Sequence, residues 1–234
     1  MFKDLEHVME SLPIWKRNRR KIVSPIGNSM AYRPTFIADS YRESVLQRII
    51  ELTESTYTLY LSKQYLAAVI TARSCQESIA VLNFINVKLV TFSRTKDLRH
   101  LVNTLERLTF GFSDDNEFPE KISIMNCIDS VDKTLGGQFR QHYNLLSEYA
   151  HPNYLGTFGS FGKPDYESLD IVISPNKDMI ETMKKHVECT IVICFELLNI
   201  IQKECEDVFN TALETCKEMH NTGELVKQFY NKEL

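Results

Sequence analysis

The sequence predicts an all-α fold, a multi-helix bundle of about six to eight helices with a small β hairpin or strand insertion around residues 157–174. Three observations carry this expectation. Only 8 Gly and 7 Pro occur in 234 residues, too few for a loop-rich sandwich or a glycine-cradled nucleotide fold. Apolar residues recur at three- and four-residue intervals over most of the chain. The one convincing β signal is the run Leu169, Ile171, Val172, Ile173. A content of 43% hydrophobic and 25% charged residues excludes disorder and fibre and is enough for one sizeable core. The organisation this implies is an N-terminal helix with a basic arm or linker over 1–38 and a single helical-bundle domain over 39–234.

Residues 5–15 place Leu5, Val8, Met9 and Leu12 at helical spacing. They then meet Pro13 and the basic run Lys16, Arg17, Arg19, Arg20 and Lys21, which predicts a short helix leading into an arm. Ser24-Pro25, Gly27-Asn28 and Arg33-Pro34 predict a loop over 22–34. A helix over 39–61, with Asp39 as its N-cap, carries Val45, Ile49, Leu52, Tyr57 and Tyr60 inward and Glu43, Arg48, Glu51 and Glu54 outward. The next, over 63–92, has the broadest apolar arc (Leu66, Val69, Ile79, Leu82, Ile85, Leu89) and is expected to be the most buried. Residues 97–110 form a shorter amphipathic helix, ended by Gly111 and the acidic loop 113–117 with Asp114, Asp115 and Asn116. Pro119 suits the first turn of a helix bearing Ile122, Met125, Ile128 and Val131 as far as Gly136-Gly137. Gln138–Ala150 is another, stopped by His151-Pro152 because proline disfavours helical geometry in the residue before it. Gly156, Gly159 and Gly162 then mark a hairpin or flap. Two more helices follow: 178–205 with the stripe Met179, Met183, Val187, Ile191, Cys194, Leu198, Ile201, and 208–229 with Leu213 and Leu225 facing the bundle.

A formal charge of −4 excludes a generic nucleic-acid coater, so any such contact has to come from a local patch. The cysteines Cys75, Cys127, Cys189, Cys194, Cys205 and Cys216 lie mostly in apolar helical patterns without a CxxC pair. They read as reduced core residues, with no metal and no cofactor implied. The N-terminus MFKDLEHVMESL has acids among its apolar residues, unlike a secretory signal, and the longest apolar run, 190–195, is far short of a membrane span. A cytoplasmic protein with no membrane partner is the expectation.

Two polar constellations stand out. Arg73 and Glu77, four apart on the most apolar helix, sit among Ala67, Ala68, Ala72 and Ala80, where a charged pair is costly unless partnered. They form either a structural ion pair or a pair facing a pocket. At about 100° per residue, Arg140, Asn144, Ser147 and His151 fall on one stripe of the 138–150 helix, facing solvent or lining a cleft or dimer seam. His151 closes that helix, where the dipole favours an imidazolium and Pro152 sets the chain's exit. It can act as a general acid or base beside an Arg that stabilises phosphate charge, or simply cap carbonyls.

The segment 143–153 (YNLLSEYAHPN), with Gly156 three residues on, resembles the Tyr-x-x-Leu-Ser-x-x-x-His segment of bacterial helical proteins related to the HEPN superfamily. Ala72-Arg73-Ser74-Cys75-Gln76-Glu77 resembles the Arg/Glu signature on their preceding long helix. The resemblance covers about residues 63–160. It implies a HEPN-like helical bundle, commonly a homodimer, with metal-independent endoribonuclease or RNA-binding activity in a toxin–antitoxin or antiviral defence system. It also implies RNA and an antitoxin or defence subunit as partners, and Arg140, Asn144, Ser147 and His151 as catalytic candidates. The family hallmark is an Arg separated from a His by four to six residues, paired across the dimer. Here Asn144 stands where that Arg would be, and Arg140 is ~16 Å of helix rise from His151. A second chain would have to supply the partner. The alternative function is a non-catalytic helical scaffold or protein-interaction subunit of such a system.

Other chemistry is less well supported. Glu148-x-x-His151 and Asp97-x-x-His100 have the Glu-x-x-His-type spacing of di-iron bundles, but that site needs two more inward carboxylates. HExxH, P-loop and GxSxG motifs do not occur. Lys16, Arg17, Arg19, Arg20 and Lys21, next to Trp15, have the composition of a phosphate-contacting and base-stacking arm.

Overall fold

A computed structural model describes residues 2–26, 32–113 and 117–230. It is all-α with one small antiparallel hairpin, as the periodicity predicts. The helices are α1 (Phe2–Asn18), α2 (Arg33–Leu61), α3 (Tyr65–Thr95), α4 (Leu98–Phe110), α5 (Ile124–Leu135), α6 (Gln138–Ala150), the single turn α7 (Phe158–Phe161), α8 (Lys177–Asn221) and α9 (Glu224–Tyr230). Strands β1 (Gly162–Pro164) and β2 (Ile171–Ile173) pair Gly162 with Ile173, Lys163 with Val172 and Pro164 with Ile171. Among the described residues no helix is long and apolar enough to cross a membrane.

The chain divides into two compact units. One comprises Met1–Asn18, Gln47–Ile79 and Asp132–Leu197, the other Arg19–Leu46, Ala80–Val131 and Leu198–Leu234. The core of the first is built from Leu5 and Val8 of α1, Ala68 and Val69 of α3, Leu146 and Tyr149 of α6, and Met183, Val187, Ile191 and Phe195 of α8. The residues of α1, α6 and α8 recur at three- or four-residue intervals, the apolar stripe that an amphipathic helix must cover, while α3 gives the adjacent Ala68 and Val69. The second unit packs Ala38, Ile85, Leu89, Phe92, Leu98, Leu101, Leu105, Ala212, Cys216, Met219 and Leu225. All six cysteines are free thiols, five of them buried and Cys189 half-buried.

Four elements differ from the sequence expectation. Helix α1 continues through Pro13 to Asn18. Proline there forfeits one backbone bond, but Trp15 beyond it stacks on Phe195 with ring centroids 5.5 Å apart, and His7 before it meets the same ring edge-on at 5.8 Å. Helix α2 starts at Arg33, with Pro34 in the first turn, where a missing N–H costs nothing. Asp39 is therefore not an N-cap. It is an interior carboxylate, 6% exposed, that accepts hydrogen bonds from Arg20. Helix α5 starts at Ile124, not near Pro119, whose carbonyl instead accepts from Phe112 N–H at 3.1 Å. Residues 177–221 are one helix of 45 residues where two were expected. The polar interruption 203–207 contains neither Gly nor Pro, and Cys205 within it is buried, so nothing stops the helix before Gly223 at φ 74°. Gly27, Asn28, Asp114, Asp115 and Asn116 of the expected loops lie outside the described residues.

Candidate functional site

Helix α6 is delimited by its own sequence. Gly136 (φ 62°) and Gly137 (φ 89°) take the left-handed conformation that ends α5, and Gly137 has no side chain with which to cap α6. Asp132 supplies the cap from one turn earlier: its Oδ1 accepts the N–H groups of Phe139 (3.0 Å) and Arg140 (3.3 Å). At the other end His151 is extended (φ −89°, ψ 149°), as the residue before Pro152 has to be, while its N–H still donates to the Ser147 carbonyl. The turn after it is tied down. Asn153 donates to Glu148 at 2.5 Å and accepts Gly156 N–H at 3.2 Å. A Cβ on Gly156 would stand 2.1 Å from the His151 carbonyl oxygen, so only glycine lets the chain cross the helix end there.

The predicted stripe divides into two environments. Ser147 is half-buried and turned toward α3, whereas Arg140, Asn144 and His151 are exposed. Arg73 Nε donates to Ser147 Oγ at 2.9 Å, and its Nη2 donates to the Tyr143 hydroxyl at 2.7 Å and to Glu77 at 3.0 Å. The Tyr143 hydroxyl donates in turn to Glu77 at 2.9 Å, and Ser147 Oγ to the Tyr143 carbonyl at 2.9 Å. The Arg73 guanidinium also lies 5.0 Å from the Tyr143 ring centroid. Nearby, the fully buried Gln76 donates to the Phe139 carbonyl at 3.0 Å. Burial, then the hydrogen bond to Glu77, push the Tyr143 phenol above its ordinary pKa, so it serves as a neutral donor.

Arg73 and Glu77, read from the sequence as an ion pair or a pocket pair, are thus an ion pair whose remaining valences are met by α6. Both side chains are under a quarter exposed, and the network is closed on itself. An Arg73→Leu substitution is expected to lower the unfolding free energy by about 2 kcal/mol, because three acceptors lose their donor. Combining it with Glu77→Leu is expected to recover part of that loss by removing the orphaned carboxylate. Urea unfolding of the singles and the double measures the coupling, and additive losses would contradict it.

The basic arm is also divided. Lys16 is ion-paired with Glu54. Arg20 donates to Asp39 and to Glu43, and those carboxylates hold its pKa above the ordinary value. Arg42 donates to both as well, at 3.0 and 3.1 Å. Arg17, Arg19 and Lys21 make no ion pair with described residues, and Arg17 and Lys21 are exposed. Two members of the five-residue run, Lys16 and Arg20, are therefore ion-paired, with side chains 44% and 45% exposed.

Three features went unread in the sequence. Tyr143 is the hub of the Arg73 network, and its signal is the pair Tyr143/Ser147, four apart like Arg73/Glu77. His142, on the flank of α6, puts its ring 5.6 Å from that of His186, which also meets Tyr149 at 6.2 Å. Tyr60 donates to the buried Glu188. Among the described residues no three His, Cys, Asp or Glu side chains are arranged to hold a metal ion. Comparison of the chain with protein-family models, with curated proteins and with solved structures found no match.

Proposed function

We propose that this protein is a HEPN-like RNA-binding protein that cleaves RNA without a metal, as a cytoplasmic component of a toxin or antiviral defence system. The observation that supports this reading is His151: exposed, set at the foot of a polar row with Asn144 and Arg140, on a backbone turn fixed by Pro152, Asn153 and Gly156. In this role the neutral imidazole takes the proton from a ribose 2′-hydroxyl as that oxygen attacks the adjacent phosphorus. The 5′-oxygen leaves as the P–O bond breaks and takes a proton from water, giving a 2′,3′-cyclic phosphate and a 5′-hydroxyl, and the imidazolium later releases its proton to solvent. Arg140 and Asn144 serve as donors to the phosphate. Arg73 acts through Ser147, holding α6 in place. The free thiols suit a reducing compartment.

A second reading, a non-catalytic scaffold or interaction subunit, is favoured by one observation. The arginine best placed to face a pocket, Arg73, is wholly engaged with Glu77, Tyr143 and Ser147. Incubating wild type and His151→Ala with total and transfer RNA in EDTA separates the two. Cleavage reduced roughly 100-fold or more in the variant is the expected result. Because His151 is exposed, the variant's unfolding free energy is expected to stay within about 0.5 kcal/mol of wild type. Identical RNA in both lanes would leave the scaffold reading.

A further inference from the structure

The hairpin 162–173 carries an unusual surface for a monomer. Ile171 is 49% exposed, Val172 46% and Ile173 75%, on a strand whose three residues are all β-branched and apolar. Leu169, Tyr166, Tyr154 and Phe158 around it are exposed too. Isolated exposed apolar residues need no explanation, but a contiguous set on a strand edge does. Edge strands are normally blunted by shortness, Lys, Pro or a bulge; β2 is only three residues long but carries no Lys, Pro or bulge.

The hydrogen-bond parity shows which edge is open. Asp165 N–H donates to the Asp170 carbonyl and Ser174 N–H to the Phe161 carbonyl, both at 2.9 Å. With Lys163 opposite Val172, the groups of Asp170, Val172 and Ser174 therefore point to β1, and those of Ile171 and Ile173 point away from it. The outer edge of β1 is closed: Pro164 has no N–H to offer, and Gly162 N–H already donates to the Phe158 carbonyl. One edge of this sheet is open and the other is not.

We infer that β2 is a self-association edge, pairing antiparallel with β2 of a second copy of this chain about a two-fold axis at Val172. In that register Ile171 of each copy exchanges both backbone bonds with Ile173 of the other, so every outward group of the strand is satisfied. The sheet becomes β1-β2-β2-β1, and because both outer edges are then β1, it stops at two copies. Charge selects the same arrangement. The turn carries Asp165, Glu167 and Asp170. A parallel stack would set these acids side by side, whereas the two-fold sends the turns to opposite ends. Each turn then approaches the strand end of the other copy that leads to Lys177, which is as far from Val172 as Glu167 is. The inference does not depend on the RNA reading.

Sedimentation equilibrium of the full chain across a concentration series tests it. Wild type is expected to double in mass with rising concentration. Val172→Glu, which places two like charges directly opposite each other at the axis yet gives Lys163 a partner within its own hairpin, is expected to stay monomeric with unchanged helical circular dichroism. Val172→Cys provides the independent measure. At the axis the two Cα atoms would stand about 4.5 Å apart, as in a non-hydrogen-bonded pair, within disulfide reach. Mild oxidation with glutathione disulfide is expected to cross-link it, while Tyr166→Cys, exposed but remote from the axis, is not. A wild type that stays monomeric, a dimer that persists in folded Val172→Glu, or equal cross-linking at 166 and 172 would each overturn the inference.

Discussion

Replacing Tyr60 by Phe is expected to lower the unfolding free energy by about 3 kcal/mol, the cost of leaving a buried charged acceptor without its donor. Glu188 lies inside α8 at 5% exposure, and its carboxylate accepts a hydrogen bond from Tyr60 of α2. Burial first, and then that bond, raise the Tyr60 phenol well above its ordinary pKa, which keeps it protonated as the donor. Phenylalanine keeps the ring and its packing beside Tyr65, so the loss reports the hydrogen bond and not a cavity. Tyr60→Phe combined with Glu188→Leu is expected to regain most of the stability, because an apolar pair of similar volume needs no partner. Equilibrium urea unfolding of the two singles and the double decides the matter. A Tyr60→Phe loss below about 0.5 kcal/mol would mean that water reaches Glu188 and that the pair contributes little.

The same contrast between local and long-range information explains what the sequence showed. The limits of α6 were legible because each is set by residues in place: Gly136 and Gly137 before it, and Pro152 after it. The hairpin was legible as a run of β-branched residues between turn signals. Helix starts were less so. Pro34 and Pro119 both suit a first turn, yet only Pro34 occupies one, because Pro119 lies in an extended segment bonded to Phe112. The length of α8 was missed because a polar stretch with no breaker looks like a loop from composition alone. Within the candidate site, the helix stripe predicted which residues share a face but not what lies opposite. Ser147 and Arg73 are 74 residues apart, and no periodicity reports that one meets the other. The partners of Arg20 are hidden from the sequence for the same reason, since the spacing marks Asp39 as a cap and Glu43 as an outward charge, while in the fold both carboxylates meet Arg20.

The histidine pair beside α6 implies an acid-labile fold. The His142 ring is largely enclosed, its Nε2 is buried with no hydrogen-bond partner, and the ring beside it is that of His186, which in turn meets Tyr149. Burial, and then the proximity of His186, lower the His142 pKa from 6.5 to about 4, and burial lowers that of His186 too. Above pH 6.5 His142 is neutral whether the chain is folded or not, and it contributes no pH dependence. As the pH falls from 6.5 to about 4 the unfolded chain takes up the proton that the folded chain refuses, so stability declines over that window and levels off below it. The full loss through His142 is on the order of 3 kcal/mol, from about 1.4 kcal/mol per pKa unit. Urea midpoints collected across this range are expected to fall steadily for wild type. A His142→Phe variant, which keeps an aromatic ring against His186 but cannot titrate, is expected to lose roughly one proton's worth of that slope. Proton NMR of the imidazole C2–H resonances offers a direct check, since His142 is expected to titrate near 4, well below the ordinary histidine value of 6.5. If His142 titrated near 6.5, or if His142→Phe left the slope unchanged, then the α6 flank would be hydrated and the ring pair would not make the fold acid-labile.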